Sequence, residues 1–133
     1  MCYRITVATT VILHITERSH WERAQVVGEY RTDSLETQGF IHCSTPEQVA
    51  RVANALFRDQ SDLVLLVIEP ARVAAEIRYG TPEGGKEPFP HIYGPLNLNA
   101  VVRVLPFEPN VGGRFTSPTE STKEEGRGAD DVQ

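Results

Sequence analysis

Asp62-Leu63-Val64-Leu65-Leu66-Val67-Ile68-Glu69-Pro70 decides the fold: six consecutive aliphatic residues lie between an acid on one side and an acid and a proline on the other. The run is strand-sized and reads as the central strand of a sheet. Working back from it, Val49, Val52, Ala53, Leu56 and Phe57 recur at three- and four-residue spacing, which predicts a helix laying one apolar face on that sheet. Ser44-Thr45-Pro46-Glu47-Gln48 opens this helix, with Thr45 as N-cap, Pro46 in the first turn and Gln48 placed to reach back. Gly39-Phe40-Ile41-His42-Cys43 reads as a short strand, and residues 30–38 as a polar loop. Before them, Val11-Ile12-Leu13-His14-Ile15 is β-branched and apolar, a buried strand ending at Thr16. Ser19-His20-Trp21-Glu22 has the form of a capping box; Trp21, Ala24 and Val27 share one face of the helix it would start, and Gly28 ends that helix.

Working forward, Ile77 and Tyr79 alternate with charged neighbours and suggest a further strand, residues 81–90 form a proline- and glycine-rich loop, and residues 100–107 make a last strand. Gly80 to Gly85 lacks the spacing of a phosphate-binding loop and reads as flexible chain. Gly94-Pro95-Leu96-Asn97 is a turn leading into the last strand. Strands outnumber helices and the two main helices lie in the first half, so the fold class is α+β rather than doubly wound.

The chain has 133 residues, 13 basic and 18 acidic, for a formal net charge of -5. Residues 116–133 hold 2 basic and 5 acidic side chains, no aromatic and one large aliphatic residue, Val132, so they are expected to be a disordered acidic tail after a single domain at 1–115. That leaves 11 basic against 13 acidic in the domain. A near-neutral domain argues against extended nucleic-acid binding, which needs a basic stripe, but not against a short nucleotide. No apolar run is long enough to span a bilayer, no export signal is read at the start, and two cysteines make no disulfide framework; a cytoplasmic protein without membrane contact is expected.

Three of the four histidines sit in apolar runs: His14 among Ile12, Leu13 and Ile15; His42 between Ile41 and Cys43; His91 between Phe89-Pro90 and Ile92-Tyr93. On a strand His14 shares a face with Ile12 and Thr16, and His42 with Phe40 and Ser44. Each histidine alone is compatible with a hydrogen-bonded core side chain. Together, each beside a hydroxyl or thiol, they suggest one polar pocket. Zinc would find nitrogen and sulfur ligands there, but the spacings are wide and no metal is expected. Cys43 as a hydrolytic nucleophile would need His14 or His91 as its base. A nucleotide or sugar site matches the composition, with Tyr93 stacking on a ring and His, Ser and Thr meeting ribose hydroxyls.

Ile12-Leu13-His14-Ile15-Thr16, Trp21, Gly28 with Tyr30, Ser34-Leu35, Gly39-Phe40-Ile41-His42-Cys43-Ser44, Gln48 and Phe89-Pro90-His91-Ile92-Tyr93-Gly94-Pro95-Leu96 together resemble the domain of unknown function family 952, over roughly residues 11–109. By fold that family looks like a compact relative of the ADP-ribosyltransferase superfamily. The resemblance implies a split, mostly antiparallel sheet around a cleft that in relatives holds NAD or an ADP-ribosylated nucleic acid. It implies that His14 binds ribose, that His42 to Ser44 lie on the second motif strand, and that His91 to Tyr93 fall where many relatives carry a catalytic glutamate. No acidic residue stands in that block here. The expectation is therefore a cleft binding NAD or a related small nucleotide, with His42 and His91 as acid or base and His14, Thr16, Ser44 and Tyr93 as substrate-binding residues. Its expected chemistry is to transfer or remove an ADP-ribosyl or phosphate group, as a transferase or a glycohydrolase. The alternative is a non-catalytic nucleotide-binding or interaction module whose histidines are structural.

Overall fold

The computed structural model describes residues 11–82 and 84–116. The expectation of a disordered tail falls, apart from Thr116, outside the described residues.

The aliphatic run forms β4 (Leu63–Ile68), buried along its whole length. It is the middle strand of a three-stranded antiparallel sheet, between β1 (Ile12–Glu17) and β8 (Val101–Phe107). Pairing runs from Ile12 opposite Ile68 to Glu17 opposite Leu63 on one side, and from Leu63 opposite Phe107 on the other, with an irregularity between Val67 and Ile68. Because successive side chains point to opposite faces, β4 feeds two cores. Val64, Leu66 and Ile68 join Ile12, Tyr30, Ile41, Ile92 and Leu96 in one. Leu63, Leu65 and Val67 join Leu13, Ile15, Val49, Ala53, Phe107 and Phe115 in the other.

The second core is covered by α3 (Val49–Leu56), whose Val49 and Ala53 are buried. Gln48 does reach back: the Thr45 backbone N–H donates to its Oε1 at 3.0 Å. Regular helix begins only at Val49, after a turn, and Leu56 at its end is exposed, so the apolar face is narrower than its spacing suggested. The first core is covered by a second three-stranded antiparallel sheet, in the order β3 (Ile41–His42), β6 (Phe89–Tyr93) and β5 (Glu76–Gly80). Ile41, Ile92 and Ile77 turn inward, and a bridge between Leu13 and Ser44 ties the two sheets together. A two-stranded ribbon joins β2 (Glu29–Tyr30) to β7 (Leu96–Asn97). The class is α+β, as the element pattern predicts, and the sheets are antiparallel, as the family resemblance implies.

Several boundaries differ. Helix α1 (Arg18–Val27) starts before the expected cap, so Ser19 lies inside its first turn. Its N-terminus is held tertiarily instead: Arg18 N–H donates to the Asp62 carbonyl at 2.9 Å, and the Arg18 guanidinium pairs with the Asp62 carboxylate at 3.0 Å. Ala24 alone of the helix is buried; Val27 is 64% exposed and turns away from the core. Gly28 ends the helix as expected, at φ 104°, a conformation that side chains disfavour.

The expected loop at residues 30–38 contains β2's Tyr30 and a short third helix, α2 (Asp33–Thr37). Asp33 and Glu36 favour its positive end, and Leu35 packs against the core, which stabilises a helix too short to stand on propensity alone. The strand expected at 39–43 pairs only over Ile41 and His42, because Gly39 at φ 91° breaks the extension. Leu96-Asn97 pairs with β2 rather than opening the last strand directly, and a 3-10 turn at Leu98–Ala100 intervenes before β8. Gly80 is the final residue of β5 rather than part of a flexible loop. No helix among the described residues is long and apolar enough to cross a membrane.

Candidate functional site

His14 and Thr16 project from the end of β1 into the space that β2 closes. The Nδ1–H of His14 donates to the His42 carbonyl oxygen at 2.6 Å. A carbonyl only accepts, so this bond places the proton on Nδ1 and leaves Nε2 to accept from the Tyr30 hydroxyl, at 2.8 Å. Thr16 stands beside the Tyr30 hydroxyl and acts against the rise that burial imposes on its pKa. His14, 8% exposed, is therefore pinned at both nitrogens. Burial lowers its pKa to about 4, so it is neutral at pH 7, and burial raises that of Tyr30 to about 12.

Above this chain opens a cleft of about 500 Å³ lined by His14, Thr16 and Tyr30, with Glu17, His20, Arg23, Val27, Glu29, Arg31, Thr32 and Asp33 among its other walls. Arg31 pairs with Glu29 at 3.2 Å and His20 stands 3.6 Å from Glu17. Arg23 makes no ion pair among the described residues. Nothing in the sequence pointed to Tyr30, Arg23 or Arg31 as site residues; α1 carries Arg23 to the cleft, and the chain that follows α1 brings Tyr30 and Arg31 back to His14.

His42 and His91 lie elsewhere, directly opposite one another on the outer face of the β3-β6-β5 sheet. Their ring centroids are 5.5 Å apart. Phe40 stacks on His91 at 4.1 Å and stands 5.2 Å from Tyr93, and the Arg78 guanidinium lies over Tyr93 at 5.2 Å. The His42 Nε2–H donates to Gln38 Oε1 at 2.6 Å. Burial lowers the pKa of both imidazoles. A carboxylate does reach this face from the adjoining strand, since Glu76 is opposite Tyr93, but it is held by Arg78 at 2.8 Å.

The candidate residues thus divide. His14 and Thr16 meet in the cleft; His42, His91 and Tyr93 meet on the outer sheet face; Ser44 meets neither group. Ser44 was expected to share a face with His42, but β3 stops after two residues and Ser44 turns inward to bridge Leu13. One contact joins the two groups: the backbone carbonyl of His42, which receives the His14 proton.

Cys43 is buried, and burial pushes its thiol well above the ordinary range, so a thiolate nucleophile is not available. In a Cys2→Ser chain, Cys43 is expected to resist a thiol-reactive dye at pH 8 until denaturant is added. Reaction at the free-thiol rate without denaturant would contradict its burial. Among the described residues no group of three or more His, Cys, Asp or Glu side chains is arranged to hold a metal.

The sequence profile of a family described as a protein of unknown function, DUF952, matches residues 15–104. Protein CC0527 from Caulobacter crescentus has a similar crystal structure, with 30% identity and a TM-score of 0.74, covering 85% of this chain and 99% of that one. A double mutant of the same protein gives the same values. Its solution structure matches with 32% identity and a TM-score of 0.70, over 80% of this chain and 91% of that one. No curated protein matches the chain.

Proposed function

The chain belongs to the family of unknown function DUF952, and from that premise we propose that it binds a nucleotide of the NAD or ADP-ribose class in the cleft above His14. One observation carries the reading: the Tyr30–His14 hydrogen bond, with the Thr16 hydroxyl beside it, lies at the base of a cleft that also presents Arg23 and Arg31. Hydroxyls suit ribose, and guanidinium groups suit a diphosphate through paired N–H donors. His14, neutral and committed at both nitrogens, orients Tyr30 rather than meeting phosphate itself. Glu29 and Asp33 can accept from ribose hydroxyls. An ADP-ribosyltransferase-like type of fold belongs to this proposal, supported by the division of the antiparallel strands between separate sheets, as does a cytoplasmic location.

Binding without turnover is the reading better supported, because His42 and His91 do not line the cleft. Transfer of an ADP-ribosyl or phosphate group is the second reading; what favours it is the opposed imidazole pair, one ring able to take a proton and the other to give one.

Calorimetric and thermal titration with ADP-ribose and NAD tests the proposal. Ligand at one hundred times its dissociation constant is expected to stabilise the protein by about 2.7 kcal/mol. Arg23→Glu, at an exposed position, is expected to cost at least about tenfold in affinity while leaving the melting temperature of the free protein unchanged. Tyr30→Phe removes one hydroxyl and little volume, so its effect on binding is cleaner than that of His14→Ala, which also orphans the His42 carbonyl. Absence of any shift with millimolar ADP-ribose or NAD would refute the proposal.

A further inference from the structure

The outer face of the β3-β6-β5 sheet carries features that the cleft does not use. His91 is only 8% exposed, yet its ring nitrogens have no hydrogen-bond partner among the described residues. A buried polar atom left unpaired costs free energy, so such an arrangement points to a group that completes it. Gly80 explains which nitrogen is free to do so. A methyl carbon placed on Gly80 would stand 3.2 Å from both Nδ1 and Cε1, so that edge of the imidazole runs along the β5 backbone and Nε2 is turned away from it. His42 stands beside it with its state set: donation from Nε2 to Gln38 leaves Nδ1 as an acceptor. The pair therefore offers an acceptor next to a nitrogen able to donate. Around it, Phe40 and the 39%-exposed Tyr93 present ring faces, and Tyr93 is braced by Arg78.

We propose that this face is a second binding site, distinct from the cleft, for an amino-bearing nucleobase such as adenine. The base stacks against Phe40 and Tyr93, its exocyclic N–H donates to His42 Nδ1, and its adjoining ring nitrogen accepts from His91 Nε2. Aromatic side chains on a sheet face are suited to this because every base has a π-face, while the edge pairing selects for the amino group. One base fills the site, so the same chemistry serves a free nucleoside and a single-stranded end.

Adenosine titrated into the full chain, followed by calorimetry and by the chemical shifts of the histidine ring protons, is the test. Adenosine is expected to bind and to move the His42 and His91 signals. Purine riboside, which lacks the amino group, is expected to bind about tenfold more weakly. His91→Phe keeps a flat ring but removes both nitrogens; Phe40→Ala removes the stacking partner at a half-buried position. Each is expected to lower affinity about tenfold or more, and Arg23→Glu to leave it unchanged. A short oligoadenylate binding more tightly than adenosine would make a strand the source of the base; equal affinity would make it the nucleoside. The site is overturned if millimolar adenosine moves neither histidine, if purine riboside binds equally well, or if His91→Phe and Phe40→Ala leave adenosine affinity unchanged. Since the cleft is read by the effect of Arg23→Glu on ADP-ribose affinity and this face by the effect of His91→Phe on adenosine affinity, either site can fail without the other.

Discussion

Acidification from pH 7 to pH 4 is expected to weaken the fold by about 3 kcal/mol, most of it through His14. In the unfolded chain this imidazole titrates at its ordinary 6.5; in the folded chain burial lowers its pKa to about 4. Between those values the unfolded state binds more protons than the native state, so stability falls as pH falls, by about 1.4 kcal/mol for each pH unit crossed. Above pH 6.5 His14 is neutral in both states and contributes no slope. Below about pH 4 it is charged in both and the loss levels off. His42 and His91 act in the same direction. Glu76 and Glu87, whose pKa values are lowered by Arg78 and Arg51, act at more acidic pH and are exposed enough to add little. Urea unfolding at pH 7, 5.5 and 4 measures this, with His14→Asn expected to flatten the slope. Equal midpoints for the parent chain at pH 7 and pH 4.5 would show that His14 is not held neutral by the fold.

Replacement of Leu66 by Ala is expected to cost about 3 kcal/mol. Leu66 is fully buried in the middle strand, opposite His14 on β1 and Val104 on β8, and it belongs to the core shared with Ile41 and Ile92. Truncation removes its transfer free energy and opens a cavity that two flanking strands and a facing sheet cannot close, the situation in which Leu→Ala changes cost roughly 2–5 kcal/mol. Val102→Ala, on the edge strand β8 and 42% exposed, serves as the comparison and is expected to change stability by less than about 0.5 kcal/mol. Denaturant midpoints at constant slope give both values. Similar losses at the two positions would mean that β8 is covered by another chain in solution.

Local pattern carried much of the fold. Six unbroken aliphatic residues can be satisfied only by burial on both faces, so Leu63 to Ile68 identify the central strand without any tertiary information. Alternation at Ile77 and Tyr79 and the Gln48 reach-back were equally legible, because each depends on residues a few positions apart. The helix Asp33–Thr37 was not legible, since five residues, four of them polar, form it only when Leu35 has a core to meet. The start of α1 was misplaced for a similar reason: Asp62, 44 residues away from Arg18, fills the role expected of Ser19.

The histidines divide along the same line. Their presence in apolar runs was visible in the chain itself, and so was the shared face of His14 and Thr16, which follows from the two-residue period of a strand. What only the tertiary structure decided is that His14 looks inward to Tyr30 while His42 and His91 look outward to Phe40. Strand period says which residues share a face. Which face becomes interior depends on the sheet that packs against it, and here that is settled by the inward row of Ile41, Ile77 and Ile92 seating on Ile12, Val64 and Leu66, which leaves the opposite row, with both imidazoles, on the outside.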